Sequence, residues 1–151
     1  MSADRVSLRF ELSKKEAGGL PVAFESLWCR HEEHGYLVSN SPFFVSGIAF
    51  GDVIAVAPTL DESAVRLTAV INSSGNSTIW VNIAESANAS AMLEKLRHVG
   101  CLVEGGVFPS YYSICVLAGT SIEPVLALLD EFEDSGAIEV NYPCLRHDVD
   151  A

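Results

Sequence analysis

Positive charge is scarce in this chain. Lys and Arg number 9 against 20 Asp and Glu in 151 residues, a formal net charge of −11. A surface of that sign repels phosphate backbones and anionic lipid, which disfavours sequence-independent binding to either, so no nucleic-acid and no membrane partner is expected. Any charged macromolecular partner is therefore expected to be a basic protein. Long apolar runs are missing too. No stretch approaches the roughly 20 residues of a membrane span, and residues 1–10 lack the apolar core of a signal peptide, so we expect a cytoplasmic protein. Cys29, Cys101, Cys115 and Cys144 form no C-x-x-C pair, and four cysteines in a chain of this size do not make a disulfide scaffold. They read as reduced, partly buried thiols. A serine elbow, a local Cys/His signature and a metalloprotease helix are also absent, which weighs against an enzyme.

Apolar residues make up 49% of the chain and charged residues 19%, a composition that folds around a core rather than staying disordered. Val6, Leu8, Phe10 and Leu12 alternate with polar neighbours, the period of a half-buried strand. The segments 25–30 and 36–38 flank the polar turn His31-Glu32-Glu33-His34-Gly35 and read as an antiparallel pair, with Gly35 supplying positive φ. Segments 43–45, 52–57 and 64–71 are β-branched and aromatic, separated by turn residues. Short strands at this spacing predict a small curved sheet or barrel over residues 1–76.

The polar run 72–77 marks a boundary, and the pattern beyond it alternates strand and helix. Residues 78–83 read as a strand. Asn88 or Ser90 can cap a helix whose apolar face is Met92, Leu93, Leu96 and Val99, with Gly100 just past its end. Segments 101–103 and 112–117 can pair. Ser121 is placed to cap a second helix faced by Ile122, Val125, Leu126, Leu129 and Phe132, and Gly136 ends it before a last strand over 137–142. The expected fold class is α+β, with the N-terminal β-rich half packed on a ferredoxin-like β-α-β-β-α-β unit over residues 77–151. Alternation puts Trp80 on the sheet face away from the helices, where we expect the N-terminal half to bury it.

Residues Glu25-Ser26-Leu27-Trp28, Gly35-Tyr36, Asn40-Ser41-Pro42-Phe43-Phe44, the run from Gly47 to Val53, and Ser74-Gly75-Asn76-Ser77-Thr78 stand out as motifs. On these, the stretch 25–78 resembles a bacterial family known as domain of unknown function 4265. The resemblance implies a bacterial origin and a shared architecture, and supplies no reaction.

Two motifs are candidates for a pocket. Asn40, Pro42, Phe43 and Asp52 read as a bend that plants an aromatic ring in the core while Asp52 accepts backbone hydrogen bonds. The functional alternative places Asn40 and Asp52 at a pocket mouth. Ser74 and Gly75 lie in a loop whose amides and hydroxyls suit an anion, but no Gly-Lys-Ser/Thr follows and no helix starts there. Cys29, His31 and His34 with Cys144 and His147 carry zinc-ligand chemistry in spacings that do not converge, so no metal and no cofactor are expected. Glu25 and Asp52 are the carboxylates an acid–base pair would use.

Charge carries the main functional clue. From Cys101 onward nine acidic residues face Arg146 alone, and Asp130, Glu131, Glu133 and Asp134 crowd the last turns of the second helix, against its dipole. We read them as a docking face for a basic protein, as in an acidic inhibitor or immunity-type protein that neutralises a cationic partner. The alternatives are a small-molecule sensing module, with ligand approach at Gly105-Gly106 and the loop 118–120, and a hydrolase of unrecognised type.

Overall fold

A computed structural model of the chain describes residues 5–17, 23–61, 63–84, 87–88, 90–105 and 108–148. The chain is a mixed structure, mostly strands, and divides into two compact units, Met1–Ser74 and Gly75–Ala151.

The first unit is a closed five-stranded barrel in the order β1-β2-β3-β4-β5, formed by Arg5–Glu11, Phe24–Glu32, Gly35–Val38, Val53–Pro58 and Val65–Asn72. Neighbours run antiparallel, and β1 closes on β5 in parallel through Phe10 and Val65. Phe10, Leu27, Cys29, Val38 and Ile54 point inward from the strands, and Val45 and Ile48 complete the core from the connection between β3 and β4. A one-turn helix, α1 (Lys14–Ala17), follows β1. Ser13 Oγ accepts the Glu16 N–H and Glu16 Oε1 accepts the Ser13 N–H, both at 3.0 Å, a reciprocal capping box.

Two expectations change here. Residues 43–45 form no strand, because their amides bond to a side chain and not to a neighbouring strand. Gly35 does not adopt positive φ; a side chain is excluded there because a Cβ would lie 2.3 Å from the Ile54 carbonyl oxygen.

The second unit runs β6 (Ser77–Ile83), α2 (Ser90–His98), β7 (Leu102–Glu104), β8 (Tyr111–Val116), α3 (Glu123–Asp134) and β9 (Ile138–Cys144). Its sheet is antiparallel in the order β7-β8-β6-β9. Ile79, Val81, Ile114 and Val116 meet Met92, Leu96, Val125 and Leu129 in one core. The alternate residues Thr78, Ser113 and Cys115 are buried, and Trp80 is only 9% exposed. Gly100 and Gly136 have positive φ just beyond α2 and α3, where the amides of Cys101 and Ala137 reach back to the carbonyls of Leu96 and Phe132. Asn88 Oδ1 accepts the Ser90 N–H at the start of α2. Ser121 does not cap α3: the helix opens at Ile122 without a side-chain cap, and Pro124 in its first turn needs no N–H partner. Among the described residues no helix is long and apolar enough to cross a membrane.

Candidate functional site

Strand alternation puts Glu25 in the same inward row as Leu27 and Cys29, so the barrel carries a carboxylate where its core pattern calls for an apolar side chain. The connection after β3 answers it. Glu25 Oε2 accepts the Phe43 N–H at 2.7 Å, and Oε1 accepts those of Phe44 and Val45 at 2.9 Å each. Burial raises the Glu25 pKa above the ordinary carboxyl value; the three amide bonds oppose the rise, and the Glu16 carboxylate adds to it.

Asn40 begins the same connection and its Oδ1 accepts the Trp28 N–H on β2 at 2.7 Å. Ser41 and Pro42 are buried, as are Phe43 and Phe44. Asp52, with no solvent exposure, ends the connection: Oδ2 accepts the Ala49 N–H, and Oδ1 accepts both the backbone N–H and the hydroxyl of Ser74 at 2.9 and 2.8 Å. Glu25, Asn40 and Asp52 thus fasten one connection to β2 and to the strand exit after β5. Their oxygens are directed at backbone groups and, for Asp52, at the Ser74 hydroxyl as well, an arrangement that orders a loop.

Gly75 has φ +79°, and a Cβ on it would stand 3.1 Å from the Ala118 side chain. Next to it, Asn76 Oδ1 accepts the Ala118 N–H at 2.8 Å. Ser77 makes a contact with no counterpart in the sequence reading. Its buried hydroxyl lies 2.6 Å from His147 Nδ1 and accepts the amides of Arg146 and His147, while His147 Nε2 lies 2.9 Å from the Leu117 carbonyl oxygen. The carbonyl fixes the tautomer: Nε2–H donates to Leu117 and Nδ1 accepts the Ser77 hydroxyl proton. His147 is therefore committed to holding residues 145–148, not to a metal.

His31 and His34 are exposed, His31 against the Tyr36 ring and His34 beside Glu33, whereas Cys29 points into the barrel. Among the described residues no group of three or more His, Cys, Asp and Glu is placed to hold a metal ion. Gly105, expected at a ligand-binding turn, packs under Tyr112, whose ring would be 2.6 Å from a Cβ; Gly106 lies outside the described residues.

Asp130, Glu131, Glu133 and Asp134 are all exposed on the last turns of α3, which carry no basic residue. They divide by helical angle. Asp130 and Glu133 lie toward β9, where partial burial raises the Tyr142 pKa and the two carboxylates add to the rise, while Glu131 and Asp134 lie toward the helix crest.

The sequence pattern of the family described as Domain of unknown function (DUF4265) matches residues 25–140, well over half of the chain. The chain belongs to this family. No curated protein matches it significantly. A solved structure described as a "Novel crystal structure of a hypothetical protein from Neisseria gonorrhoeae" is similar over 96% of both chains, with TM-score 0.74 and 16% identity, a likeness of fold. The DUF4265 match takes in Glu25, the connection it clasps, Asp52 and the acidic end of α3.

Cys29 and Cys101 of this DUF4265 protein are expected to be poor nucleophiles. None of the four cysteines is in a disulfide, all four are buried, and burial pushes Cys29 and Cys101 up to about 11. In a thiol titration of the native protein at about pH 8, Cys29 and Cys101 should stay unmodified until denaturant is added. Rapid native labelling of either would contradict this assignment.

Proposed function

We propose that this protein is a non-catalytic binding protein whose acidic face on the second unit docks a cationic protein, in the manner of an inhibitor or immunity-type protein that neutralises a basic partner. The supporting observation is the grouping of Asp130 and Glu133 with Tyr142, a ring 38% exposed on β9. An aromatic ring flanked by carboxylates suits an arginine or lysine: the ring offers its face and the carboxylates accept charge-assisted hydrogen bonds. The cluster also opposes the helix dipole, so it costs stability in the unbound protein, a cost that a cationic partner would offset.

We also read the second unit as ferredoxin-like. Its β-α-β-β-α-β order, its antiparallel sheet in the order β7-β8-β6-β9 and its two helices sharing one core with that sheet support the reading.

The test starts from a partner recovered on the immobilised protein from the source bacterium and measures its binding to wild type and to the D130N/E131Q/E133Q/D134N variant. The variant should fold as well as wild type or melt slightly higher. Its association rate should fall at least about tenfold at low salt, and the gap should close as salt shortens the Debye length to about 8 Å at 0.15 M. Equal association rates at low salt would defeat the proposal, as would a lysate yielding no cationic protein that wild type retains and the variant loses.

A further inference from the structure

On one side the barrel of the first unit closes through a single residue pair. Strands β1 and β5 run parallel there, and among the described residues they pair only at Phe10 and Val65. Past that pair each chain segment stays with its antiparallel neighbour. The Leu12 N–H bonds to the Ala23 carbonyl at the entry to β2, at 2.8 Å, whereas Arg66 and Leu67 remain opposite Ala57 and Val56 on β4. A cleft of about 420 Å³ opens between the two sides, within the range of about 300–1,000 Å³ usual for small-ligand sites.

The floor of the cleft is apolar: Phe10 and Val45 are buried, and Leu12 and Leu67 are half-buried. One wall is held by bonds within the protein. Glu16 Oε1 accepts the Ser13 N–H, Oε2 accepts the N–H and the hydroxyl of Ser46 at 3.1 and 3.2 Å, and the preceding amide, that of Val45, is fixed by Glu25. The Glu16 carboxylate is thus committed to its own chain. Glu11, from β1, and Arg66, from β5, are the other charged lining residues, and both are exposed. Among the described residues neither side chain has a hydrogen bond or an ion pair, even with the other.

We propose that this cleft binds a free α-amino acid with a large apolar side chain. Two carboxylates and one guanidinium line it, so a simple anion is repelled on balance, and a simple cation leaves Arg66 without a partner. A zwitterion satisfies both free charges: its carboxylate accepts charge-assisted hydrogen bonds from Arg66, its ammonium donates to Glu11, and its side chain covers the apolar floor. The wall fixed by Glu16 and Glu25 is formed before the ligand arrives, which lowers the cost of binding. The cleft lies within the first unit and shares no residue with the acidic end of α3, so this proposal and the docking proposal stand or fall separately.

The experiment is isothermal titration calorimetry of the purified full chain with L-leucine and L-phenylalanine, each also as its amide, which lacks the carboxylate, and as its N-acetyl form, which lacks the ammonium. At least one of the two amino acids should bind wild type saturably with a Kd on the order of 100 µM, and both of its blocked forms should bind at least about fivefold more weakly. Arg66→Gln should weaken the amino acid at least about fivefold and abolish its advantage over the amide; Glu11→Gln should abolish its advantage over the N-acetyl form. Both side chains are exposed and unbonded, so the variants should fold, and circular dichroism checks this. Absence of binding by both amino acids up to about 10 mM in wild type would overturn the proposal. So would a blocked form that binds as tightly as the amino acid, or variants that keep the wild-type affinity and preference.

Discussion

Replacing Glu25 with alanine is expected to lower the melting temperature by about 10 °C. Three buried or nearly buried amides, those of Phe43, Phe44 and Val45, lose their acceptor at once. Each unsatisfied buried donor costs about 1–3 kcal/mol, and a shared total near 4 kcal/mol corresponds to about 10 °C in a chain of this length. Glu25→Gln keeps one acceptor oxygen and should lose roughly half as much. It also separates charge from hydrogen bonding through pH. The folded-state pKa of Glu25 is raised, so its contribution is greatest below the ordinary carboxyl value and is lost as pH climbs through the raised value. The melting-temperature gap between wild type and Glu25→Gln should therefore be wider at about pH 5 than at about pH 8. A gap that widens toward alkaline pH would mean that the amides, not burial, dominate the carboxyl.

Gly35→Ala is the second large effect expected. The new methyl would press on the Ile54 backbone oxygen at 2.3 Å and on Ile71 Cδ1 at 2.9 Å. The backbone cannot swing away as a side-chain tip can, so β3 must part from β4, where Tyr36 pairs with Ile54. Overpacking of this kind costs about 3 kcal/mol, or about 5–10 °C here. Gly47→Ala is the control. A methyl there meets nothing within 4 Å, and with φ at +82° the cost is conformational alone, about 1–2 kcal/mol. Thermal unfolding of both variants checks the ranking; a Gly35→Ala protein that melts with wild type would show that the strand pair yields without loss.

Elements with a clear period could be read from the chain. The alternation in β1 and the helical faces built on Met92, Leu93 and Leu96 and on Val125 and Leu129 place the same residues inward in both cores. Residues 43–45 misled because β-branched and aromatic composition reports a buried, extended segment and cannot say which partner takes its amides. The partner is Glu25, 18 to 20 residues earlier. A signal was present, since Glu25 shares the inward row of Leu27 and Cys29, and a carboxylate in such a row demands donors. The Ser13-x-x-Glu16 capping box was equally available as a spacing, but its turn is too short for periodicity to reveal. Ser77 and His147 left no trace, because 70 residues separate them and only the fold brings them together. The acidic end of α3 is visible as composition, whereas its division between the Tyr142 side and the crest needs the helix and β9 in place.

The two outer strands of the second sheet restrict how anything can attach to it. β7 offers three residues of backbone, and β9 carries Pro143, which has no N–H to donate, beneath an acidic helix end. A visiting peptide that sought to extend the sheet would find one border too short to register against and the other interrupted by proline and guarded by negative charge. Strand addition is therefore disfavoured on both sides. A partner of this unit, as proposed above, would then be recognised through side chains and so by its sequence, and the same borders disfavour the indiscriminate backbone pairing that leads to aggregation.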